Sequence, residues 1–257
     1  TPLNAGAGLG FWRDNGPSGG LIGGLIVDPT DDAIVYSYSL TGPLSKTVDG
    51  GESWTLLRDV LSRDHGGTGS DVAMHPSNPD VLYAARDNYL FDGGYLMKTT
   101  DGGATWVGGA GPTLPSRPVY RVSRAPSNGA IVYVLTWNGS AGRFEISRST
   151  DGGTTWLGTD GVVGGVDINT SPFHFEVAPN NPLTLYMANS TSSNDIYRSV
   201  NGGETWTAIG TGLPSTAIDS MVVIDDQTVL VTGFNSNLLW KTTDAGASWA
   251  AVDANPT

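Results

Sequence analysis

The chain contains the stretch Lys98-Thr99-Thr100-Asp101-Gly102-Gly103-Ala104-Thr105-Trp106, and four related copies of it lie elsewhere in the sequence. The five copies end at Trp54, Trp106, Trp156, Trp206 and Trp249. Successive tryptophans are 52, 50, 50 and 43 residues apart. A period of this length is typical of stacked units of supersecondary structure, each too small to bury its own apolar face. The repeat therefore decides the fold.

Each copy of the repeat predicts a tight β-hairpin. The central residues are Asp49, Asp101, Asp151, Asn201 and Asp244. Such a side chain can accept hydrogen bonds from backbone N–H groups one or two residues further on. The glycines that follow it supply the positive φ that a tight turn needs. The Trp at the end starts the outgoing strand and is expected to lay its ring against the neighbouring sheet. We predict that these residues are structural and not catalytic.

Four short strands are predicted in each repeat. The first is apolar and usually ends at a proline, as in Val72-Ala73-Met74-His75-Pro76, because proline cannot donate to a ladder. The second is rich in β-branched and aromatic residues, as in Val81-Leu82-Tyr83-Ala84. The third leads into the repeat turn, and the fourth leaves from its Trp. No segment has a sustained helical period. These features predict an all-β, five-bladed β-propeller with one Asp-centred hairpin between the third and fourth strands of each blade.

The whole chain, residues 1–257, is expected to form one propeller domain. The predicted blades are residues 21–61, 62–114, 115–163, 164–214 and 215–257. Residues 1–20 are surplus to them, and Gly10-Phe11-Trp12-Arg13 is expected to form either a closing outer strand or a cap. The alternative, that the chain is part of a longer ring, stays open.

Composition narrows the range of partners. The net charge is −12 and the pI is near 4.4, which disfavours binding to nucleic acids or to anionic membranes. The only lysines are Lys46, Lys98 and Lys241, which stand three residues before the central Asp of a repeat; Arg148 and Arg198 take that place in two other copies. The chain has no cysteine and no apolar run long enough to span a membrane. It starts at Thr1 without Met, from which we expect a mature, exported protein.

Polar residues in the first strands form the main candidate site. Alternation along these strands assigns Leu25, Val72, Val122, Phe175 and Met221 to the core. The alternate positions are then expected to face the central channel, where they include Asp71, Arg121, His174 and Glu176. Acids, a base and a cation together can support acid–base chemistry. A structural ion network is the alternative, and we favour it.

Loops at the same end of the blades supply further candidates for ligand binding. Arg63 and His65 lie in a polar, glycine-rich loop that leads into the second blade. Trp137 lies beside Asn138 after a second strand, where an aromatic ring could stack on a sugar or could pack onto its own blade. No histidine has a metal-ligand spacing, so no metal and no cofactor is expected.

The repeats resemble the Asp-box, also called the BNR repeat, whose pattern is Ser/Thr-x-Asp-x-Gly-x-Thr/Ser-Trp. The resemblance covers residues 20 to 257, and it implies a propeller similar to those of sialidases, xyloglucanases, sortilin-like receptors and photosystem II assembly factors. Ala73-Met74-His75-Pro76-Ser77-Asn78-Pro79 is most similar to the xyloglucanase and assembly-factor branches. Sialidases also have an Arg-Ile-Pro segment, which does not occur here. In Ser39-Leu40-Thr41-Gly42, Leu40 stands where the resemblance to xyloglucanases implies a catalytic Asp, and their second catalytic Asp lies in another propeller.

The sequence therefore favours an exported, non-catalytic binding or scaffold module whose carbohydrate or protein partner binds at the channel mouth. The alternative is an enzyme, either a glycoside hydrolase of the xyloglucanase or sialidase type or a polysaccharide lyase, which would use Asp71, His174 and Glu176. The sequence does not indicate an oligomeric state.

Overall fold

The structure is a computed structural model that describes residues 16, 22–39, 44–57, 70–86, 96–108, 114, 117–158, 162–166, 172–189, 195–214, 217–233 and 238–252. These residues form twenty β-strands in five four-stranded antiparallel sheets and no helix. Consequently, no helix in this part of the chain could cross a membrane. The predicted all-β, five-bladed propeller is confirmed.

Each blade is a meander in which strands pair in chain order. Blade 1 consists of β1 (Ile22–Val27), β2 (Val35–Ser39), β3 (Leu44–Thr47) and β4 (Thr55–Leu56). Blade 2 consists of β5 (Ser70–Met74), β6 (Leu82–Arg86), β7 (Leu96–Thr99) and β8 (Val107–Gly108). Blade 3 consists of β9 (Val119–Arg124), β10 (Val132–Asn138), β11 (Arg143–Ser149) and β12 (Gly164–Val166). Blade 4 consists of β13 (Pro172–Val177), β14 (Leu185–Asn189), β15 (Ile196–Ser199) and β16 (Thr207–Ala208). Blade 5 consists of β17 (Ile218–Val223), β18 (Val229–Gly233), β19 (Leu239–Thr242) and β20 (Ala250–Val252).

The first strands of neighbouring blades contact one another, with β5 against β1 and β9, and β13 against β9 and β17. This contact places the first strands on the inside of the propeller. The limits predicted for the blades and the role predicted for residues 1–20 stay predictions, and Gly10–Arg13 lie outside the described residues.

The repeat turns are closed by two side chains in place of the expected one. In blade 2 the Thr99 hydroxyl accepts the backbone N–H of Gly103, 3.0 Å away, and donates to Asp101. Asp101 accepts the backbone N–H and the hydroxyl of Thr105, at 2.9 and 2.5 Å. The N–H that Asp101 accepts is thus four residues on, not one or two as the sequence suggested, because Gly102 and Gly103 both have positive φ and curl the chain around the carboxylate.

Blade 3 departs from the predicted pattern at its fourth strand. In the other blades the fourth strand begins directly after the Trp, but β12 begins eight residues after Trp156. The chain turns at Gly158, where φ is +93° and an added β-carbon would collide with the carbonyl of Val162. The third sheet therefore extends to Val166.

A tyrosine bonds across each of the four joints between consecutive blades, and a basic residue adds a second bond in three of them. The tyrosine hydroxyl of one blade donates to a backbone carbonyl of the next blade. These bonds are Tyr36 to Gly102 at 3.1 Å, Tyr83 to Gly152 at 2.9 Å, Tyr133 to Pro182 at 2.8 Å and Tyr186 to Asp226 at 2.9 Å. The basic residue that precedes the repeat turn adds a second bond in three joints: Lys98 to Gly152, Arg148 to Asn201 and Arg198 to Asp226. The repeat's lysines and arginines are thus part of the packing between blades.

The repeat tryptophans of blades 2 to 5 fill the same joints. Trp106 packs among core residues of blades 1 and 2, and Trp156 among those of blades 2 and 3. Trp206 and Trp249 occupy the next two joints. The expectation that each ring lies against a neighbouring sheet therefore holds for these four blades.

Candidate functional site

The candidate site lies on the first strands of blades 2, 3 and 4. Asp71 is the second residue of β5, Arg121 the third of β9, and His174 and Glu176 the third and fifth of β13. A register shift between Leu135 and Thr136 loosens the pairing of β9 beside Arg121, and a second shift between Pro172 and His174 does so in β13. The site therefore lies on three neighbouring inner strands, two of which pair irregularly near their starts.

The side chains of this set are turned toward the next blade, not simply into the channel as alternation suggested. Asp71 Oδ2 accepts the backbone N–H of Val122 in blade 3, 3.0 Å away. Glu176 Oε2 accepts the backbone N–H of Val223 in blade 5, 3.2 Å away. Blade faces pack against one another, so a side chain that leaves the sheet plane meets the neighbouring inner strand.

His174 makes the same kind of bridge. Its Nε2 lies 3.1 Å from the backbone carbonyl oxygen of Asp219 in blade 5. A carbonyl oxygen can only accept, so Nε2 carries the proton and donates it. Nδ1 then remains as the acceptor of the neutral ring. Burial lowers the pKa of His174 below its ordinary value, and the charge of Arg121 lowers it further, against the opposing effect of the Asp219 carbonyl.

Burial also shifts both carboxyl groups of the set. It raises the pKa of Asp71, against the opposing effects of the Arg121 charge, the bonds to the N–H groups of Val122 and Val72, and the bond from Tyr38. It raises the pKa of Glu176, and the charge of Asp71 adds to that rise against the bond from Val223. Charge interactions therefore link Asp71 to both Arg121 and Glu176, and they link Arg121 to His174. The four predicted residues therefore form one electrostatic cluster.

Tyr38 is a member of this cluster that the sequence analysis missed. It lies on β2 of blade 1, and its hydroxyl donates to the Asp71 carboxylate. Burial raises the pKa of the Tyr38 phenol well above its ordinary value of 10, and the Asp71 charge adds to the rise. Blade 1 has Gly24 where the next three blades carry Asp71, Arg121 and His174. Gly24 was the one feature of the sequence that could have pointed to Tyr38, because the tyrosine ring lies in the space that a side chain at residue 24 would fill.

Trp137 stands apart from the cluster, at the end of β10. Its ring packs against Phe144 of the same blade with ring centroids 4.8 Å apart, and it is half-buried. Of the two roles considered for Trp137, the packing role is thus visible in the structure. A sugar could contact only the part of the ring that stays exposed.

A buried carboxylate beside Trp137 was also missed. Glu145 on β11 is paired with Arg117 and lies 3.5 Å from Arg143 Nε. Asn138 Nδ2 donates to Glu145 Oε1 at 2.8 Å. β10 and β11 have seven residues each, against five or fewer for the second and third strands of the other blades, so this hairpin projects further. No periodicity in the sequence singles out Glu145, because its partners come from three separate segments.

Arg63, His65 and Leu40 lie outside the described residues. Within the described ranges, no group of three or more His, Asp or Glu side chains is arranged to hold a metal ion. The chemistry that the described cluster can offer is therefore proton transfer by carboxyl groups with raised pKa values, beside a guanidinium, an imidazole and a phenol.

Comparisons with known proteins point to carbohydrate-active enzymes. The chain is 25% identical to a xyloglucanase of a Paenibacillus species over 285 aligned residues, which cover 95% of this chain and 27% of that enzyme. It is 29% identical to a xyloglucanase of Hypocrea jecorina over 134 residues, which cover 46% of this chain and 16% of that enzyme. The chain thus spans about a quarter or less of the length of these relatives. No family model matches it.

Solved structures agree on the fold. An ancestral GH74 enzyme superposes with a TM-score of 0.67 at 19% identity, covering 97% of this chain and 33% of that one. The GH74 xyloglucanase of Xanthomonas campestris gives 0.64 at 18% identity, covering 91% and 38%. The WD40 propeller domain of Doa1 gives 0.53 at 15% identity, covering 89% and 66%. At these identities the superpositions establish the propeller and nothing finer.

The main functional expectation from the sequence is wrong. A non-catalytic binding or scaffold module was favoured, partly because Leu40 replaces an expected Asp. Both xyloglucanase relatives, one of them aligned along almost the whole chain, instead favour the glycoside hydrolase that was the alternative. The residue at position 40 was too narrow a basis for disfavouring a glycoside hydrolase, because acidic side chains from other strands can meet in the folded chain.

Proposed function

We propose that this propeller is part of a glycoside hydrolase that acts on xyloglucan or a closely related β-glucan. The observation that carries the proposal is the alignment to the Paenibacillus xyloglucanase along 95% of this chain. Because the chain corresponds to 27% of that enzyme, the activity of the whole protein is itself part of the proposal. The repeat turns are proposed to be Asp-boxes. The protein is proposed to be extracellular, because a polymeric substrate of this kind lies outside the cell.

Two carboxyl groups are proposed to carry the reaction. Glycoside hydrolysis needs a carboxylic acid that protonates the leaving glycosidic oxygen and a second carboxylate on the other side of the bond. A raised pKa favours the protonated form that such an acid needs, and burial shifts the pKa of Asp71 in that direction. Asp71 is therefore proposed as the acid and Glu176 as the second carboxylate. Water supplies the hydroxyl that replaces the leaving group at the anomeric carbon and the proton that restores the acid.

The remaining candidates are proposed to bind the sugar. Arg121 and His174 flank the two carboxyl groups and can hold ring hydroxyls once the polymer enters the cluster. Trp137 would contact a sugar with the exposed part of its ring, and Arg63 and His65 would bind from the loop that leads into blade 2. Because Asp71, His174 and Glu176 also bond the next blade, binding and stability are coupled at this site.

The test is the release of reducing ends from xyloglucan by the purified chain and by Asp71→Asn and Glu176→Gln. Both variants should lose activity by at least a hundredfold while keeping their circular dichroism spectrum. Asp101→Asn is the matched control, since Asn201 already fills that turn position in blade 4, and it should keep full activity. Affinity electrophoresis in xyloglucan gels measures binding separately. A wild-type chain that neither binds nor cleaves xyloglucan contradicts the proposal.

A further inference from the structure

A cavity lies between blades 4 and 5, away from the cluster on the first strands. Its volume is about 400 Å³, within the range of roughly 300–1,000 Å³ that is usual for small-molecule sites. Blade 4 lines it with residues of β15, of β16 and of the repeat turn, and blade 5 lines it with residues 244–247 of its own repeat turn. The cavity and the cluster share no residue, so the cavity is a separate place on the propeller.

A basic residue occupies the equivalent space in each of the three preceding joints. It lies beside the first glycine of the next blade's repeat turn. A β-carbon added to that glycine would lie 3.1 Å from Lys46 at Gly102, 3.7 Å from Lys98 at Gly152 and 1.7 Å from Arg148 at Gly202. The absence of a side chain on the glycine therefore makes room for the basic residue of the preceding blade.

The joint between blades 4 and 5 breaks this pattern. Blade 5 has Ala245 in place of the first glycine, with a φ of +60°. The β-carbon of Ala245 takes space that an arginine placed like Arg148 would need. Arg198 instead donates to the backbone carbonyl of Asp226, 3.0 Å away. The space beside the turn is consequently left open.

A second substitution enlarges this space. Arg148 Nη2 lies 3.4 Å from the carboxylate of Glu204, so a salt bridge spans the joint between blades 3 and 4. Blade 5 has Ala247 at the repeat position of Glu204. No acidic side chain is there to draw Arg198 back to the turn. The cavity is thus built into the sequence of the fifth repeat.

The lining of the cavity carries balanced charge and mixes donors with acceptors. Arg198 contributes a guanidinium, and Asp244 contributes a carboxylate. Thr205 and Thr207 are exposed and also line the cavity. The Thr205 hydroxyl accepts the side-chain amide of Asn201 at 2.9 Å, so its own proton remains available to donate.

Apolar groups form the rest of the wall. Val200 is 56% exposed, and Ile209 is buried at the edge of β16. A fitting ligand therefore has hydroxyl groups that donate and accept, C–H groups that cover these side chains, and no net charge. A sugar ring has all three properties.

A zwitterion, which also matches opposite charges, fits less well. Asp244 already accepts bonds from the Thr242 hydroxyl and from the N–H and hydroxyl of Ser248. A carboxylate has about four acceptor positions, so about one remains for a ligand. One position satisfies a hydroxyl group, whereas an ammonium group would keep further donors without an acceptor.

We propose that this cavity binds a sugar unit of a neutral β-glucan, as a second carbohydrate site beside the cluster. The choice of a β-glucan rests on the proposed function, whereas the cavity itself does not. A second site holds one part of a polymer while another part enters the cluster, which raises the effective concentration of the polymer there.

Alanine methyl groups allow binding to be measured at the cavity itself. Ala208, Ala245 and Ala247 line it, and Ala85, which pairs with Asp71, reports on the cluster. Cellotetraose, a short β-glucan, is titrated into alanine-methyl-labelled Asp71→Asn protein, which prevents the proposed cleavage. The cavity methyl signals should shift in NMR spectra and saturate. Glycylglycine, a zwitterion, should leave them unchanged.

Variants with matched controls test the contacts. Ala247→Met fills the cavity and should weaken cellotetraose binding at least tenfold at the Ala245 methyl. Ala104→Met, at the same position of the second repeat, should change it less than twofold. Thr207→Val should weaken binding about fivefold, since one hydrogen bond is lost. Thr55→Val, also the first residue of a fourth strand, should have no such effect.

Three results would overturn the inference. Cavity methyls that do not respond to cellotetraose would show that no sugar binds there. A response to glycylglycine in its place would make the cavity a site for zwitterions. Equal losses in Ala247→Met and Ala104→Met would mean that the cavity does not set the affinity. A wild-type chain that cleaves xyloglucan without a response at the cavity refutes this site alone, and a response without cleavage refutes the proposed activity alone.

Discussion

A β-carbon on Gly24 would lie 2.6 Å from the hydroxyl oxygen of Tyr38, so the two residues share one space at the start of blade 1. The tyrosine reaches across blade 1 to the carboxylate of Asp71 in blade 2 only because residue 24 has no side chain. The hydrogen bond between Tyr38 and Asp71 ties the candidate site to a blade that contributes no charged residue of its own to the cluster.

Gly24→Ala should release Tyr38 from Asp71. The colliding atoms are the far end of a movable side chain, so the ring swings away and the loss of stability stays near 1 kcal/mol, about one hydrogen bond. Away from burial and from the Asp71 charge, the pKa of Tyr38 should fall toward its ordinary value. Alkaline absorbance titration should then detect one more ionising tyrosine than in wild type, and Gly24→Ala/Tyr38→Phe should lose that additional signal. An unchanged titration would mean that the ring does not move.

Tyr83 and Lys98 should show coupled contributions to stability. Both donate to the Gly152 carbonyl, so Tyr83→Phe alone and Lys98→Met alone each leave that carbonyl with one donor. Each single variant should cost about 1 kcal/mol, and the double variant should cost about 0.5 kcal/mol or more beyond their sum. Urea denaturation gives the values. Lys241→Met is the control and should stay within about 0.5 kcal/mol, because Lys241 is exposed. If the double variant costs only the sum of the two single variants, the Gly152 carbonyl accepts a hydrogen bond from another donor once Tyr83 and Lys98 are replaced.

Trp156→Ala should destabilise the chain more than Trp106→Ala. Trp156 is 4% exposed and packs in the joint of blades 2 and 3, so its removal should cost about 3–5 kcal/mol. Trp106 is only partly buried, and its truncation opens a space that water can enter. Chemical denaturation of both variants measures the difference. Equal costs would mean that the difference in burial between the two rings does not set the cost of removing them.

Glu176→Gln should flatten the pH dependence of stability. The folded protein has a raised Glu176 pKa, so it holds this proton more tightly than the unfolded chain does. The stability that the protonated group contributes is present at pH values below 4.5, its ordinary pKa, and is lost as pH rises through the folded-state pKa. Glutamine cannot ionise, yet its carbonyl still accepts the N–H of Val223. Above pH 4.5, the free energy of unfolding should fall less steeply with pH for the variant than for wild type. If the two profiles run parallel, Glu176 does not contribute to the pH dependence.

Asp101→Asn and Asp101→Ala separate charge from geometry in the repeat turn. The bonds from Thr105, followed by the one from Thr99, lower the pKa of Asp101 to about 2. The stability that the ionised Asp101 contributes is fully present above pH 3.8, the ordinary pKa of this group. It is lost as pH falls toward the folded-state pKa of about 2. Asparagine should keep the turn at neutral pH, as Asn201 does in blade 4, and should weaken the acid dependence. Alanine should destabilise the chain at neutral pH as well. Thermal melts between pH 2 and 7 check both statements.

The repeat made most of the architecture predictable. Five copies of a turn centred on Asp or Asn and followed by Trp specify five hairpins through local hydrogen bonds and positive φ, which depend only on neighbours in sequence. The apolar alternation of the first strands likewise predicted the buried residues Val72, Val122, Phe175 and Met221. It also predicted that Asp71, Arg121, His174 and Glu176 lie near one another, because equivalent positions of repeated units lie at equivalent places around an axis. Their role as a functional site stays a prediction.

Tertiary structure decided what local patterns cannot express. Alternation gives two faces of a strand, but only the packing of blades shows that the Asp71 and Glu176 side chains meet the backbone of the next blade. Tyr38, Glu145 and the late start of β12 depend on partners from distant segments, which no periodicity reveals. The exposure of Leu25 is the clearest case. In sequence it is equivalent to Val72 and Met221, yet it is exposed because no other described strand covers its side of β1. Burial belongs to the contact between two blades and not to the residue.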